Sequence, residues 1–205
     1  GKTHTMEGAP DAPGVYVRAL NQLFALRDSR ASIAECSLRV SVVEVYNEKP
    51  RDLLAPAGDD GAREALNLRL AGSASASRGR AAAAAPRVVV DGLTDVEVKE
   101  TADVLAALRV ASGNRAVGAH DVNEHSSRSH LVLTVHVSVT RVDGTRSRSK
   151  LNLVDLAGSE RLSKTGATGQ ALEEAKHINK SLSALGDVIA ALGARTAGGG
   201  GGGGA

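Results

Sequence analysis

Residues 131–158 read LVLTVHVSVTRVDGTRSRSKLNLVDLAG, and this segment predicts the centre of the fold. Apolar and polar residues alternate from Leu131 to Thr140, which is the period of a strand with one buried face. Asp143-Gly144 is a strong turn sequence, so residues 151–156 are predicted to form a second strand that pairs antiparallel with the first. The second strand ends in an acid, Asp155, followed closely by a glycine.

Three other segments carry apolar residues at the spacing of an amphipathic helix. The first covers residues 17–29, and the second begins at a Thr101 cap and is expected to end at Gly113-Asn114. The third is long, covers residues 172–192, and is expected to end at Gly193 with its apolar stripe against a core.

Shorter signals complete the pattern. Alternation predicts a strand over residues 36–45, which Pro50 is expected to stop, and one helical turn over residues 51–54. Two short strands, residues 88–90 and 96–98, are expected around a turn at positions 91 and 92. The whole pattern predicts an α/β fold with a partly antiparallel sheet.

Composition limits the class of protein. The chain has 205 residues, 42% of them hydrophobic, with 25 Lys+Arg against 23 Asp+Glu, which describes one globular domain. The near balance of charge argues against binding nucleic acid or membranes through bulk electrostatics. The single cysteine, Cys36, excludes an internal disulfide, and no apolar run approaches the roughly 20 residues of a membrane helix. A reducing, intracellular compartment is therefore expected.

Two segments have a composition that specifies no core. Residues 71–87 are almost entirely Ala, Ser, Gly and Arg and are expected to form an exposed low-complexity loop. Residues 195–205 form a glycine-rich tail, so the folded domain is expected to cover residues 1–194. Because the chain opens on Gly1 and its first methionine is Met6, it is expected to be a fragment.

Two short motifs together favour a nucleotide site. Gly1-Lys2-Thr3 is the end of the phosphate-loop pattern G-x-x-x-x-G-K-[ST], in which backbone N–H groups and the lysine hold phosphates. Asp155 is placed as an acid beside phosphate-bound Mg²⁺ would be, and the Gly158 N–H can approach a γ-phosphate without an intervening Cβ. Each motif alone is also compatible with an ordinary turn.

A third motif is Asn-Glu-His-Ser-Ser-Arg-Ser-His at residues 123–130. It is predicted to be a loop whose hydroxyls meet phosphate, Mg²⁺ or an attacking water, although serine-rich loops are often only solvated. A zinc site built from His120, His125 and His130 is disfavoured, because five-residue spacing fits neither a helix face nor the usual zinc patterns. A serine hydrolase is unsupported, because the chain has no G-x-S-x-G sequence.

In this order the motifs resemble the kinesin motor domain. The resemblance is carried by five segments: residues 1–6, 45–48, 123–130, 155–160 and 177–192. It extends from Gly1 to about Ala194 and implies a P-loop NTPase-type kinesin motor fold, a mixed sheet flanked by helices, incomplete at both ends. The subfamily stays open, because residues 121–124 and 183–192 are similar to C-terminal-motor, kinesin-14-like proteins and residues 163–174 to conventional kinesin.

The resemblance implies cofactors and site residues. ATP would be held by Gly1, Lys2, Thr3, His4 and Asn123. Mg²⁺ would be held by Thr3, Ser127 and, through a water, Asp155. The γ-phosphate and the attacking water would be contacted from switch I (residues 123–130) and switch II (residues 155–160) by Ser126, Ser127, Arg128, Gly158 and Glu160. Arg128 and Glu160 would pair to close the site.

The resemblance also implies a partner and a function. The segment after switch II contacts tubulin in kinesins, so Lys164, Lys176 and Lys180 would meet the acidic microtubule, whereas the basic residues of the 141–150 hairpin are expected to be solvated. The implied function is a cytoplasmic, cytoskeletal motor ATPase that moves on microtubules and oligomerises through regions outside this chain. Alternatives are a microtubule-binding scaffold without hydrolysis, or an inactive motor fragment. Without the strand that precedes the phosphate loop in kinesins, residues 151–156 would be an open sheet edge.

Overall fold

The computed structural model describes residues 2–9, 11–56, 66–71, 87–116, 122–159 and 169–197. The described helices are α1 (Lys2–Glu7), α2 (Val15–Ser29), α3 (Thr101–Ala116), α4 (Val122–Arg128) and α5 (Gln170–Ala197). The described strands are β1 (Gly8–Ala9), β2 (Ala12–Pro13), β3 (Ala34–Tyr46), β4 (Lys49–Asp52), β5 (Asn67–Ala71), β6 (Arg87–Asp91), β7 (Val96–Val98), β8 (His130–Arg141) and β9 (Arg146–Asp155). The predicted loop over residues 71–87 and tail over residues 195–205 lie mostly outside these ranges.

The main sheet has the order β4-β3-β8-β9, and β7 also pairs with β3. All of these pairings are antiparallel. β8 and β9 are joined by the predicted turn, where Gly144 has a φ of 79° and Asp143 Oδ1 accepts a hydrogen bond from the Thr145 N–H at 2.8 Å. The predicted strand pair is therefore confirmed, and its second strand begins earlier than expected.

The core lies on one face of this sheet, under α2 and α3. Alternate residues of β3 and β8 share that face because side chains alternate along a strand. The buried residues of the cluster are Tyr16, Leu20, Phe24, Leu38, Val40, Val42, Leu53, Val98, Val104, Ala111, Leu131, Leu133, Val135 and Leu153. Most of them are aliphatic, as the near absence of aromatic residues requires.

The prediction of a helical turn after Pro50 is wrong. The chain turns through Asn47 and Glu48, whose φ angles are 49° and 62°, and returns as β4, with Pro50 opposite Val45. β4 is an edge strand, where the missing N–H of a proline costs no ladder hydrogen bond. The turn comes only after β4, where Asp52 Oδ1 accepts hydrogen bonds from the Leu54 and Ala55 N–H groups.

The two short valine strands and the turn between them are confirmed, but the strands do not pair with each other. β6 pairs with β5, and β7 pairs with β3. Asp52 Oδ2 accepts a hydrogen bond from the Thr94 N–H at 2.6 Å, which ties the connection between β6 and β7 to the end of β4. The local turn signal at Gly92 was correct, because its φ is 75°, but it did not determine the strand partners.

Two helices run past the glycines that were expected to end them, and one expected loop is a helix. α3 continues to Ala116, because Asn114 donates to the Leu53 carbonyl at 2.8 Å and Arg115 pairs with Glu44 at 2.9 Å. α5 continues past Gly193 to Ala197. The motif over residues 123–130 lies on α4 up to Arg128 and then enters β8.

The apolar stripe of α5 faces a core only in its first half. Ile178 is 7% exposed, whereas Val188, Ile189 and Leu192 are 56%, 60% and 57% exposed. The described part of the chain does not cover the second half of the helix, so the expected packing of the stripe against a core holds for the first half only. β9 has a described neighbour on one side only, which agrees with the expected open edge.

We expect Leu133→Ala to lower the free energy of unfolding by about 2–5 kcal/mol, because Leu133 is fully buried in the centre of the sheet and the substitution leaves a cavity. Urea denaturation of the purified chain measures this change. Val142→Ala is the control, since Val142 is 83% exposed, and it should change the free energy by less than about 0.5 kcal/mol. Equal losses in the two variants would contradict this location of the core.

Candidate functional site

Two of the predicted site segments, as far as the structure describes them, lie at one end of the main sheet. β8 begins and β9 ends at this end, with Leu131 opposite Asp155. The helix that leads into β8, α4, therefore lies beside the segment that follows β9. The antiparallel ladder thus brings together two motifs that are 25 or more residues apart in sequence, residues 123–130 and 155–160.

A backbone hydrogen bond joins the two motifs directly. The Gly158 N–H donates to the Ser127 carbonyl oxygen at 2.6 Å. Gly158 is buried at this contact, Ser126 is half-buried and Ser127 is exposed. This bond attaches the backbone of the segment after β9 to α4.

His130 links the end of β9 to α5. Its Nδ1 accepts a hydrogen bond from the Ala157 N–H at 3.1 Å, so the neutral ring carries its proton on Nε2. The Nε2–H then donates to Ser181 Oγ at 2.8 Å, and the Ser181 hydroxyl donates to the Ile178 carbonyl at 2.8 Å. Burial lowers the pKa of His130, which favours this neutral form.

Glu174 is a second link between α5 and the site. This carboxylate is nearly fully buried and accepts from Arg128 Nη1 and from the Tyr46 hydroxyl, each at 2.5 Å. Glu174 was not among the site residues predicted from the sequence. An acid one turn before Ile178, on the apolar stripe of the helix, nevertheless indicates a buried carboxylate that needs a partner. The predicted partner of Arg128, Glu160, lies outside the described residues.

A buried charge cluster holds the other side of α4. Glu44 Oε1 lies 2.9 Å from Arg115 Nε and 2.9 Å from His125 Nε2, and Arg115 Nη2 also donates to Ser129 Oγ at 2.6 Å. Burial opposes the charged form of Glu44, but hydrogen bonds from His125 and Ser129 outweigh it, and the pKa of Glu44 is lowered. Glu44 was also not among the predicted site residues; it shares the buried face of β3 with Val42.

The phosphate-loop residues lie on α1, which contacts α2 and β9. Lys2 and His4 are exposed on this helix; Thr3 lies between them, and Gly1 lies outside the described residues. The buried hydroxyl of Tyr16 on α2 makes no hydrogen bond to the residues that the structure describes. Burial raises the pKa of Tyr16, and the nearby Asp155 carboxylate raises it further.

The arrangement fits Mg²⁺ that arrives with a nucleotide. In the described ranges, no group of three His, Cys, Asp or Glu side chains could hold a metal ion. Mg²⁺ typically binds one or two carboxylates together with substrate phosphates, so a single acid beside hydroxyl groups matches its needs. Asp155 is that acid, and Ser127 lies on the adjoining segment, where its carbonyl bonds to the backbone of Gly158.

Two of the three predicted microtubule-binding lysines are described, and both are ion-paired. Lys176 Nζ lies 2.7 Å from Glu173 on the same helix, and Lys180 Nζ lies 2.7 Å from Glu48 at the β3–β4 turn. Both lysines are exposed, whereas Lys164 lies outside the described residues. The basic residues of the β8–β9 hairpin, Arg141, Arg146, Arg148 and Lys150, are exposed, as predicted.

At one end of the main sheet α4 meets the segment that follows β9, and α1 contacts β9. The family model for the kinesin motor domain matches residues 1–198, and the chain belongs to this family. It is 45% identical over 193 residues to the kinesin-like protein KIN-14E of Oryza sativa subsp. japonica, covering 94% of this chain and 16% of that protein. It is 46% identical over 198 residues to KIN-14F of Arabidopsis thaliana, covering 94% and 17%.

Solved structures give the same assignment. A KIF14 dimer in a two-heads-bound state, with AMP-PNP and in complex with a microtubule, matches with a TM-score of 0.77 and 37% identity over 97% of this chain and 53% of that chain. The predicted family and fold class are confirmed, and the two plant relatives are KIN-14 proteins, which fits the kinesin-14-like similarity of residues 121–124 and 183–192. The chain spans less than a fifth of the two plant relatives and about half of the matched structure.

Across the residues described, no helix combines the length and the apolar character that crossing a bilayer requires.

We expect the stability of the chain to decrease as pH falls below about 6.5, because burial lowers the pKa values of both His130 and His136. In that range the unfolded chain binds more protons than the folded chain. The free energy of unfolding is therefore highest above the histidine pKa of the unfolded chain, and it decreases as pH falls towards the lower pKa of the folded chain. Urea unfolding at a series of pH values measures this slope.

His130→Gln and His136→Gln test the assignment separately. Each variant should lose its own share of the slope, and the double variant should lose both shares. If the free energy of unfolding of His130→Gln depended on pH as steeply as that of the unaltered chain, a neutral His130 with two hydrogen bonds would be contradicted.

Proposed function

We propose that this chain is the catalytic part of a microtubule motor that couples ATP binding and hydrolysis to microtubule binding and movement. The observation that carries the proposal is the hydrogen bond from the Gly158 N–H to the Ser127 carbonyl, together with the links from both segments to α5. The matched KIF14 structure, determined with AMP-PNP on a microtubule, supports the same function. Such a protein acts on the microtubule cytoskeleton of the cytoplasm.

In this proposal the motor domain occupies residues 1–194, with a low-complexity insert over residues 71–87 and a glycine-rich tail over residues 195–205. ATP is held by Gly1, Lys2, Thr3, His4 and Asn123. Mg²⁺ is held by Thr3, Ser127 and, through a water, Asp155, and it supplies charge neutralisation on the phosphates. The residues that position the γ-phosphate and the attacking water are Ser126, Ser127, Arg128, Gly158 and Glu160.

Catalysis by these residues is positioning and charge stabilisation, as is general for phosphoryl transfer. Arg128 and Glu160 close the site over the attacking water. The Gly158 N–H exchanges its Ser127 carbonyl partner for a phosphate oxygen and returns to that carbonyl when the phosphate leaves. Each exchange moves the backbone next to Ala157, whose N–H is bonded to His130.

The links to α5 convert this exchange into a change at the microtubule surface. His130 connects Ala157 to Ser181, and Glu174 connects Arg128 to the first turns of the same helix. The helix carries Lys176 and Lys180, and Lys164 lies in the segment before it. Since tubulin presents an acidic surface, these three lysines bind it through charge, and the contact weakens with salt.

We expect Glu160→Ala in the full-length protein to keep ATP binding and to reduce hydrolysis by about 100-fold, because a displaced water loses the geometry of attack. Binding is measured with a fluorescent ATP analogue and hydrolysis by phosphate release with microtubules. Glu100→Ala is the control, since Glu100 is an exposed acid before α3. Unchanged turnover would remove the role of Glu160, and no binding of ATP by the unaltered protein would contradict the proposed function.

We expect replacement of Lys164, Lys176 and Lys180 by alanine to weaken microtubule binding and to reduce its dependence on salt, because three charge contacts are lost. Co-sedimentation with microtubules at several salt concentrations measures both effects. The matched control replaces Arg146, Arg148 and Lys150, three exposed basic residues of the β8–β9 hairpin. An equal effect of the two triple variants would show that net charge, rather than the α5 surface, determines binding.

A further inference from the structure

Lys180 is exposed and yet already has an acidic partner within the chain. Its Nζ lies 2.7 Å from Glu48 Oε1, while the other oxygen of Glu48 lies 3.2 Å from His177 Nδ1. His177 and Lys180 are three residues apart and therefore neighbours on one side of α5. One carboxylate thus holds two adjacent side chains of the helix that is proposed to bind the microtubule.

The position of Glu48 is determined by a constrained turn. β3 and β4 are joined by Asn47 and Glu48 alone, with Tyr46 opposite Lys49 on the two strands. Both turn residues have positive φ angles, 49° and 62°, a conformation that residues other than glycine rarely adopt. A two-residue turn closed by strand pairing has little freedom, so the hairpin presents the Glu48 carboxylate at one place beside α5.

The neighbouring contact along α5 supports the same attachment. Tyr46, at the end of β3, donates to Glu174, one helical turn before His177. The hairpin therefore holds α5 at successive turns, through Glu174 and then through His177 and Lys180. The Lys176–Glu173 pair differs, because both of its residues lie on α5 and move together.

Glu48 is a charged partner at neutral pH. The hydrogen bond from Lys180 lowers the pKa of Glu48, and the charges of Lys180 and His177 lower it further. An acidic group of tubulin that approaches Lys180 would therefore meet a lysine whose charge is already compensated, and a second carboxylate that repels it.

We propose that Glu48 competes with the acidic microtubule surface for Lys180, so that the β3–β4 turn of this chain lowers its affinity for the filament. The inference rests on the proposed function, because it requires Lys180 to contact the microtubule. Binding exchanges the Glu48 partner of Lys180 for an acidic partner on tubulin. Release of α5 from the microtubule restores the internal pair, which favours detachment.

The test is the variant Glu48→Gln in the full-length protein, with microtubule co-sedimentation at constant salt and with AMP-PNP to hold one nucleotide state. Exposed ion pairs are worth about 0.2–1 kcal/mol, so the dissociation constant should fall by about 1.4- to 5-fold. Glu35→Gln is the matched control, because Glu35 is an exposed acid at the start of β3, at the opposite end from the turn that carries Glu48. It should leave the dissociation constant unchanged.

A double-variant cycle separates competition from general repulsion. Lys180→Met alone should weaken binding, and adding Glu48→Gln to Lys180→Met should produce no further change. A gain of the same size in both backgrounds would overturn the proposal, because Glu48 would then act on the filament and not through Lys180. No gain from Glu48→Gln in the unaltered background would overturn it as well. Thermal unfolding of each variant confirms that the compared proteins are folded.

The same experiments distinguish this proposal from the proposed function. If the unaltered protein does not bind microtubules, the proposed function fails. If it binds and Lys180→Met has no effect, Lys180 is not a contact, and the competition proposal fails while the motor assignment stands.

Discussion

The antiparallel ladder between β8 and β9 determines where the rest of the site lies. It places Leu131 opposite Asp155, so the helix entering one strand and the segment leaving the other are neighbours. The Gly158 N–H reaches the Ser127 carbonyl only because of this register. A slip of one residue would turn every side chain of β9 to the other face of the sheet and separate Asp155 from α4.

The same ladder is the part of the fold that the sequence predicts best, because period-two alternation and an Asp-Gly turn are local signals. The predictions failed where distant contacts decide the structure. α3 passes Gly113 because Asn114 and Arg115 bind groups on other elements, and residues 49–52 form a strand because the edge of β3 is available. A single sequence window contains neither contact.

The same contrast between local signals and distant contacts applies to the candidate site. The motifs with Gly1-Lys2-Thr3, Ser127 and Asp155 were predicted from their residue types and stay predictions, whereas Glu44 and Glu174 could not be predicted in this way. Each of these two acids lies on a face that its neighbours make apolar. The partners that justify them, Arg115 and Arg128, lie 71 and 46 residues away, so only the folded chain shows the pairing.

Buried acids link α4 to β3 on one side and to α5 on the other. Removing a carboxylate from water is costly unless an opposite charge compensates it, so Glu174 restrains Arg128, and Glu44 restrains Arg115 and His125. α4 is thus held by charge between β3 and α5 and cannot shift by small, independent amounts. A movement of Arg128 takes compensation away from Glu174, and α5 must respond because Glu174 is part of it. The energy of burying these acids therefore couples the end of the sheet where Gly158 bonds to Ser127 to the helix that carries Lys176 and Lys180.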